Sequence, residues 1–308
     1  MKFKLSPYGT GALMAVTGIV MFSAKAIMVK LGYRFDADAL TMLLLRMVFS
    51  LPFYIVISAR QLKKHKDTPL QKKDWQALFW LGLVGYYLAS YFDFYGLQFI
   101  SASLERLILF IYPTLVVLIT AVVYKKKPAK IQVVAIIVTY AGVFLSFADD
   151  LHLDGNNLLI GSASIFMSAF TYAIYLVGSG SLIPRIGPVR FTAYGMTISC
   201  LIVIIHYAVS KTQNVFHQPA EVYFLGFAMA VFSTVIPSFL ISEGIKRIGA
   251  SDFAIYGSLG PVSTIGLALI FLDERIDIYQ IIGTLIVIAG VTLINIKKAD
   301  PAKEMSQG

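Results

Sequence analysis

The sequence predicts an all-α integral membrane protein: ten transmembrane helices in two inverted five-helix repeats, with the N- and C-termini cytoplasmic. Three observations predict it. The 308 residues are 57% hydrophobic and 14% charged, whereas soluble domains carry about a quarter of charged residues. The apolar residues fall into ten long runs, and the second half of the chain repeats the first.

The runs are residues 10–31, 38–59, 76–98, 102–124, 131–148, 157–178, 190–209, 223–245, 252–272 and 278–296. Runs of this length cross a bilayer core as helices, because in hydrocarbon each backbone donor and acceptor must be paired inside the protein and barrel strands would be shorter and alternating. The first run lacks a small-residue cleavage site and leads into nine more, so it reads as a retained helix rather than a signal peptide. Cys200 is the single cysteine and lies inside the seventh run, which leaves no disulfide framework or cysteine metal site.

The net charge of +9 would suit nucleic acid, but its distribution has another cause. With the N-terminus cytoplasmic, nineteen of the 26 basic residues fall in inner segments, from Lys2 and Lys4 through the clusters at 60–73 and 125–130 to Lys297, Lys298 and Lys303. Four fall outside, Lys30, Arg34, Lys211 and Arg275, beside the acidic stretch DDLHLDGNN at 149–157. This asymmetry orients both termini to the cytoplasm.

Sliding the chain by 148 residues aligns YGLQFISASLERLILFIYP (95–113) with EGIKRIGASDFAIYGSLGP (243–261) and TYAGVFL (139–145) with VIAGVTL (287–293), with no gap between the two matches. Near the N-terminus a shift of 150 brings Gly11 onto Gly161 and Phe22 onto Tyr172. The division expected is a first repeat at 1–148, a second at 149–298 and a polar cytoplasmic tail at 299–308. Each repeat has an odd number of spans, so the second is upside down relative to the first, an arrangement typical of secondary transporters with a site near the midplane.

These two hairpins, with their G-L-x-x-I-S-A-S and G-I-x-x-I-G-A-S openings, central proline and A-G-V close, resemble the two EamA units of the drug/metabolite transporter superfamily. The resemblance covers nearly the whole chain and is most specific at GPVSTIGLALIFLDERIDIYQIIGTLIVIAGV. In the first half Lys126, within KKKP, stands where the second half has Glu274. The resemblance implies a ten-helix carrier, usually an exporter of amino acids or other small metabolites, in a bacterial-type inner (plasma) membrane. It also implies a basic residue early in the second helix, here Arg46.

Charges at membrane depth face protein or a wet cavity and have partners, so Lys25, Arg46, Asp93, Glu105 and Arg106 are the candidate substrate-binding residues. Asp93 shares a helical stripe with Gly82, Tyr86, Ala89, Ser90 and Leu97, small and polar residues that mark the packed face. Counting from a turn near Ile100 puts Asp93 and Arg106 at one level on adjacent helices, which predicts an ion pair between them. Counting from a turn near Phe35 puts Lys25 and Arg46 in the same layer. That layer is either a closed salt-bridge network or a site for a zwitterion. Tyr86, Tyr112, Tyr172, Tyr175 and Tyr256 are candidate cavity walls, and Pro113, Pro261, Gly257 and Gly260 are candidate kinks or hinges. Glu243 and Arg247, four apart, form an exposed helical pair.

No Walker A sequence or metal-ligand cluster is present, and His65, His152, His206 and His217 are scattered. This argues against an ATP-driven pump or a zinc protease. The expectation is therefore a non-enzymatic carrier without cofactor or metal, a monomer or homodimer whose partners are the lipid bilayer and a small-molecule substrate, not nucleic acid. Its function would be export of a small polar metabolite such as an amino acid. The alternatives are a drug or aromatic-compound exporter and, from another class, a non-transporting scaffold or intramembrane enzyme.

Overall fold

A chain this apolar can only pair its backbone locally, and every regular element in the computed structural model is helical among the residues it describes: 6–65, 69–125, 130–146, 155–210, 214–257, 259–274 and 276–296. The helices are α1 (Pro7–Tyr33), α2 (Ala39–Lys64), α3 (Lys72–Leu81), α4 (Ala89–Gly96), α5 (Ala102–Leu109), α6 (Tyr112–Val123), α7 (Lys130–Ser146), α8 (Gly155–Ile186), α9 (Pro188–Val209), α10 (Ala220–Ala230), α11 (Ile236–Gly257), α12 (Leu259–Phe271) and α13 (Ile278–Ile296). Lys126, residues 149–154 of the acidic stretch and the tail 299–308 lie outside the described residues.

Among the described residues, six stretches are long and apolar enough to cross a membrane: Pro7–Tyr33, Ala39–Lys64, Ala102–Val123, Asn156–Gly180, Pro188–Val209 and Ala220–Ile241. Lys130–Ser146, Leu259–Phe271 and Ile278–Leu293 are shorter apolar helices. Ile137, Phe144, Leu159, Ile205, Phe224, Ile270 and Leu285 are each more than 60% exposed, while Lys25, Arg46, Asp93 and Glu105 are at most 5% exposed. Apolar outside and charged inside is the arrangement of a protein solvated by lipid.

Local chemistry sets the helix ends. Ser6 accepts from the Gly9 amide ahead of Pro7, Asp38 accepts from the Thr41 amide, and Ser101 accepts from the Leu104 amide, giving α1, α2 and α5 their N-caps. Pro113 stands in the first turn of α6, and α5 stops at Leu109 with Phe110 as its cap. The proline ring excludes the carbonyl four residues back, so the break falls ahead of the proline. Pro261 holds the corresponding place in the first turn of α12.

The two halves share backbone irregularities as well as sequence. One π-helical stretch, Gly82–Leu88, joins α3 to α4, and another, Val231–Val235, joins α10 to α11 at positions matched by the 148-residue shift. The left-handed residues Lys125 (φ 52°) and Asp273 (φ 56°) are matched by the same shift. Contacts are reciprocal: the first π stretch packs on α8 and α9, and the second on α1 and α2. The last helix of each half meets its counterpart, α7 against α13, through small residues. A Cβ on Gly142 would lie 2.8 Å from the Gly283 carbonyl oxygen, and one on Gly290 would lie 3.0 Å from that of Ala135. Such contact is how membrane helices gain dispersion energy without a hydrophobic driving force.

The halves differ where the sequence places a turn at 246–251. The first half turns at Leu97–Ile100, but α11 stays helical through the matched stretch. The capping hydroxyl of Ser101 is replaced there by Gly249, so nothing equivalent ends the helix. The reversal is nevertheless complete by Gly260: Gly11 packs on Arg247 and Gly18 on Ile241, while Ser23, further along α1, meets Gly260.

Candidate functional site

Three helices bring their ionic groups together at the centre of the bundle. Lys25 of α1 pairs with Asp93 Oδ2 of α4, and its Nζ lies 3.4 Å from Glu105 Oε1 of α5. The exposures of Lys25, Asp93 and Glu105 are 4%, 3% and 0%. One ammonium thus serves two carboxyl groups that also lie within hydrogen-bond reach of each other, and Asp93 Oδ1 and Glu105 Oε2 accept from no nitrogen or hydroxyl donor.

The expected Asp93–Arg106 pair does not form. Depth along the hairpin is as the sequence implies, but neighbours on a helix point about 100° apart. Glu105 takes the direction toward Lys25 and turns Arg106 away, toward α12. There Arg106 Nη2 lies 3.4 Å from Ser23 Oγ, and its guanidinium sits over the Phe22 ring at 5.6 Å. Lys25 sits over the same ring at 5.4 Å. Gly260 makes room for Arg106, since a Cβ would fall 2.6 Å from Nη2.

Arg46, 5% exposed on α2, is held by neutral groups. Its Nε donates to Thr234 Oγ1 at 2.8 Å, its Nη1 donates to Ser90 Oγ at 3.2 Å, and its guanidinium lies 5.5 Å from the Phe94 ring centroid. Asp93 acts on it electrostatically without touching it. Ser90 and Asp93 share one face of the helix, so the cation and the carboxyl groups lie on the same side of α4. Thr234 comes from the second π stretch, where the widened turn leaves backbone groups to be resatisfied; its hydroxyl also donates to the Met229 carbonyl at 3.0 Å. Ser90 was legible as a member of the Asp93 stripe but not as a partner of Arg46, and Thr234 does not stand out in the sequence; the signal that could have found Thr234 is its place one residue from the position matched to Gly85.

Four of the tyrosines form a connected cluster. Tyr86 and Tyr175 join hydroxyls at 2.6 Å with ring centroids 4.9 Å apart, Tyr172 stacks on Tyr175 at 5.7 Å, and Tyr112 meets Tyr172 edge-on at 5.2 Å. Arg106 lies within electrostatic reach of Tyr112 and Tyr172. Tyr175 stands at the position matched to Lys25; the ionic groups all come from the first half of the chain, while the four tyrosines come two from each half. Tyr256, half-buried on α11, makes no ring contact with these four. Gly257 has open space beside it. The Glu243–Arg247 pair forms at 2.9 Å, about one-third exposed, away from the layer.

An ionic layer enclosed by helices whose outer surfaces are apolar is the arrangement of a polytopic membrane protein. The chain is matched by the EamA-like transporter family over residues 9–148 and again over 159–296, and it belongs to that family. Among similar proteins, the uncharacterized transporter YcbK of Bacillus subtilis is 32% identical over 285 residues, covering 91% of each chain. The uncharacterized transporter sll1319 of Synechocystis is 26% identical over 271 residues, covering 85% of this chain and 80% of its own. The uncharacterized inner membrane transporter YicL of Salmonella typhimurium is 24% identical over 266 residues, covering 85% and 86%. A solved crystal structure shares the fold with a TM-score of 0.61 at 14% identity, covering 93% of this chain and 98% of that one.

Proposed function

We propose that this transporter is a secondary carrier that exports a small zwitterionic metabolite, an amino acid or close analogue, across the inner membrane by alternating access. Ten spans in two inverted five-helix repeats would carry the motion, residues 1–148 against 149–298, with both termini cytoplasmic. Opposite directions of the matched helices α1 and α8 support the inversion. The end of α1 reaches the α12–α13 turn through Arg34 and Leu272, while the end of α8 reaches the start of α3 through Arg185 and Asp74, at the other face. The inner membrane location of the YicL relative, an uncharacterized inner membrane transporter, supports this placement.

The observation that carries the substrate class is the imbalance in the layer. Arg46 is a buried cation bonded only to hydroxyls, and Asp93 and Glu105 are buried carboxyl groups within reach of each other, whose Oδ1 and Oε2 accept from no nitrogen or hydroxyl. Burying such groups unpaired is costly, so a ligand that supplies both a carboxylate and an ammonium gains on both sides. The guanidinium fork matches a carboxylate, and the two free oxygens match an ammonium. The tyrosine wall would take the side chain, and that wall supports the second reading, export of aromatic compounds or drugs. Pro113, Pro261, Gly257 and Gly260 would shape the hinge between repeats.

A thermal-shift screen of the purified protein tests the class. Amino acids should raise the melting temperature, while carboxylates without an amine and amines without a carboxylate should do so less. Stabilisation by simple amines alone would overturn the zwitterion reading.

A further inference from the structure

The ionic layer holds more carboxyl groups than cations that touch them. Among the described residues Lys25 is the one cation in contact with Asp93 and Glu105. Arg46 bonds Thr234 and Ser90, Arg106 bonds Ser23, and Lys30 of α1 bonds the Leu97 and Ile100 carbonyls. Arg46, Arg106 and the Tyr33 hydroxyl interact with the pair electrostatically, from a distance. The helices packed around α4 and α5 add no further charge at this depth. Helices α12 and α13 carry none, and α7 has only Lys130 in its first turn. Helix α8 has only Arg185, which pairs with Asp74 at the other face, and its tyrosines turn to Tyr86 and Arg106.

Asp93 and Glu105 are 3% and 0% exposed and lie within hydrogen-bond reach of each other. Two ionised carboxylates at that separation repel strongly where water does not screen them, so such a pair keeps one proton between its members. Lys25 makes the closer contact with Asp93 and lies 3.4 Å from Glu105, so Asp93 is the ionised member and Glu105 carries the proton. That shared proton also supplies the donor that Asp93 Oδ1 and Glu105 Oε2 do not receive from any nitrogen or hydroxyl. The buried pair is then satisfied on every side by one ammonium and one proton. A calcium or magnesium ion would want about six or more oxygens, and the ammonium of Lys25 already fills the space between these two groups.

We propose that Asp93 and Glu105 form a proton-binding site whose proton and the substrate's ammonium exclude each other, so that the carrier exchanges one proton for each zwitterion. When the ammonium enters, it donates to both carboxylates beside Lys25, and two positive groups then face two negative ones. The Glu105 O–H bond breaks and its proton leaves to water on the side to which the site is open. When the substrate departs, a proton from water restores the O–H bond. Protons entering from outside would thereby drive export. This inference rests on the carrier reading and adds its coupling ion; the two fail separately in the measurements below.

Infrared difference spectroscopy of the purified protein across a pH jump reads the site without any substrate. The wild type should show the C=O stretch of a protonated carboxyl at neutral pH. Glu105→Gln and Asp93→Asn should each remove it, because the acid that remains is then ionised against Lys25. A wild type without the band, or a band that survives in Asp93→Asn, would overturn the shared site. The exchange is read with wild-type protein in liposomes, the membrane potential clamped at zero by potassium and valinomycin, with labelled glycine, leucine and phenylalanine supplied outside in turn. An interior about one pH unit more acid than the medium should drive about tenfold accumulation of at least one of them. Saturable uptake that ignores the pH gradient would overturn the exchange and leave the carrier standing. The infrared band in a protein that moves none of the three would support the proton site while overturning the carrier reading.

Discussion

Replacing Lys25 with methionine removes the one ammonium between two buried carboxylates. Its side chain is 5% exposed, and those of Asp93 and Glu105 are 4% and 0% exposed, so solvent cannot take over its role. Removing one partner of a buried ion pair costs about 3–5 kcal/mol, because the remaining charge is left uncompensated. Lys25→Met should therefore destabilise the protein by about that amount, and adding Asp93→Asn should recover most of it, since one carboxylate is then neutral. Arg106 provides the contrast: in the structure it bonds Ser23 and lies over Phe22, not against Asp93. The cycle of Asp93→Asn with Arg106→Gln should show a coupling below about 0.5 kcal/mol, against well above 1 kcal/mol for Lys25 with Asp93. Denaturation in detergent, followed by size-exclusion peak area, reads both cycles. A large Asp93–Arg106 coupling with none at Lys25 would refute this assignment.

Enlarging Gly290 to isoleucine should wedge α7 from α13, because a Cβ there already reaches the Thr139 side chain and the Ala135 carbonyl; the expected loss is about 1–3 kcal/mol in the same denaturation assay. Ser101→Ala removes the bond to the Leu104 amide and should cost about 1 kcal/mol, whereas Gly249→Ser in the second half should not destabilise. Asp74→Asn should change stability by less than about 1 kcal/mol, an effect that shrinks further in high salt, because its partner Arg185 is half-exposed.

Membrane insertion, the helical class and the family were legible in the sequence because they depend on run length, hydropathy and motif, which are one-dimensional. The layer of charge was legible in depth for the same reason, since counting from a turn measures height along a helix. Direction around the helix was not. The single residue step from Glu105 to Arg106 decides which of them meets Lys25, and only the packing of α1, α5 and α12 fixes it. The π stretches at Gly82–Leu88 and Val231–Val235 have no composition signal, yet one of them places Thr234 against Arg46. Glu274 was legible as a departure between the halves, but its bonds to the Ala102 and Ser103 amides of another helix were not.

Counterflow in liposomes containing only the purified protein tests the central claim most directly. Vesicles loaded with an unlabelled amino acid should accumulate the labelled form transiently and saturably without ATP, and Arg46→Gln should abolish this while the protein remains folded. Absence of saturable counterflow across a panel of amino acids, amines and aromatic metabolites, or full activity in Arg46→Gln, would contradict the account.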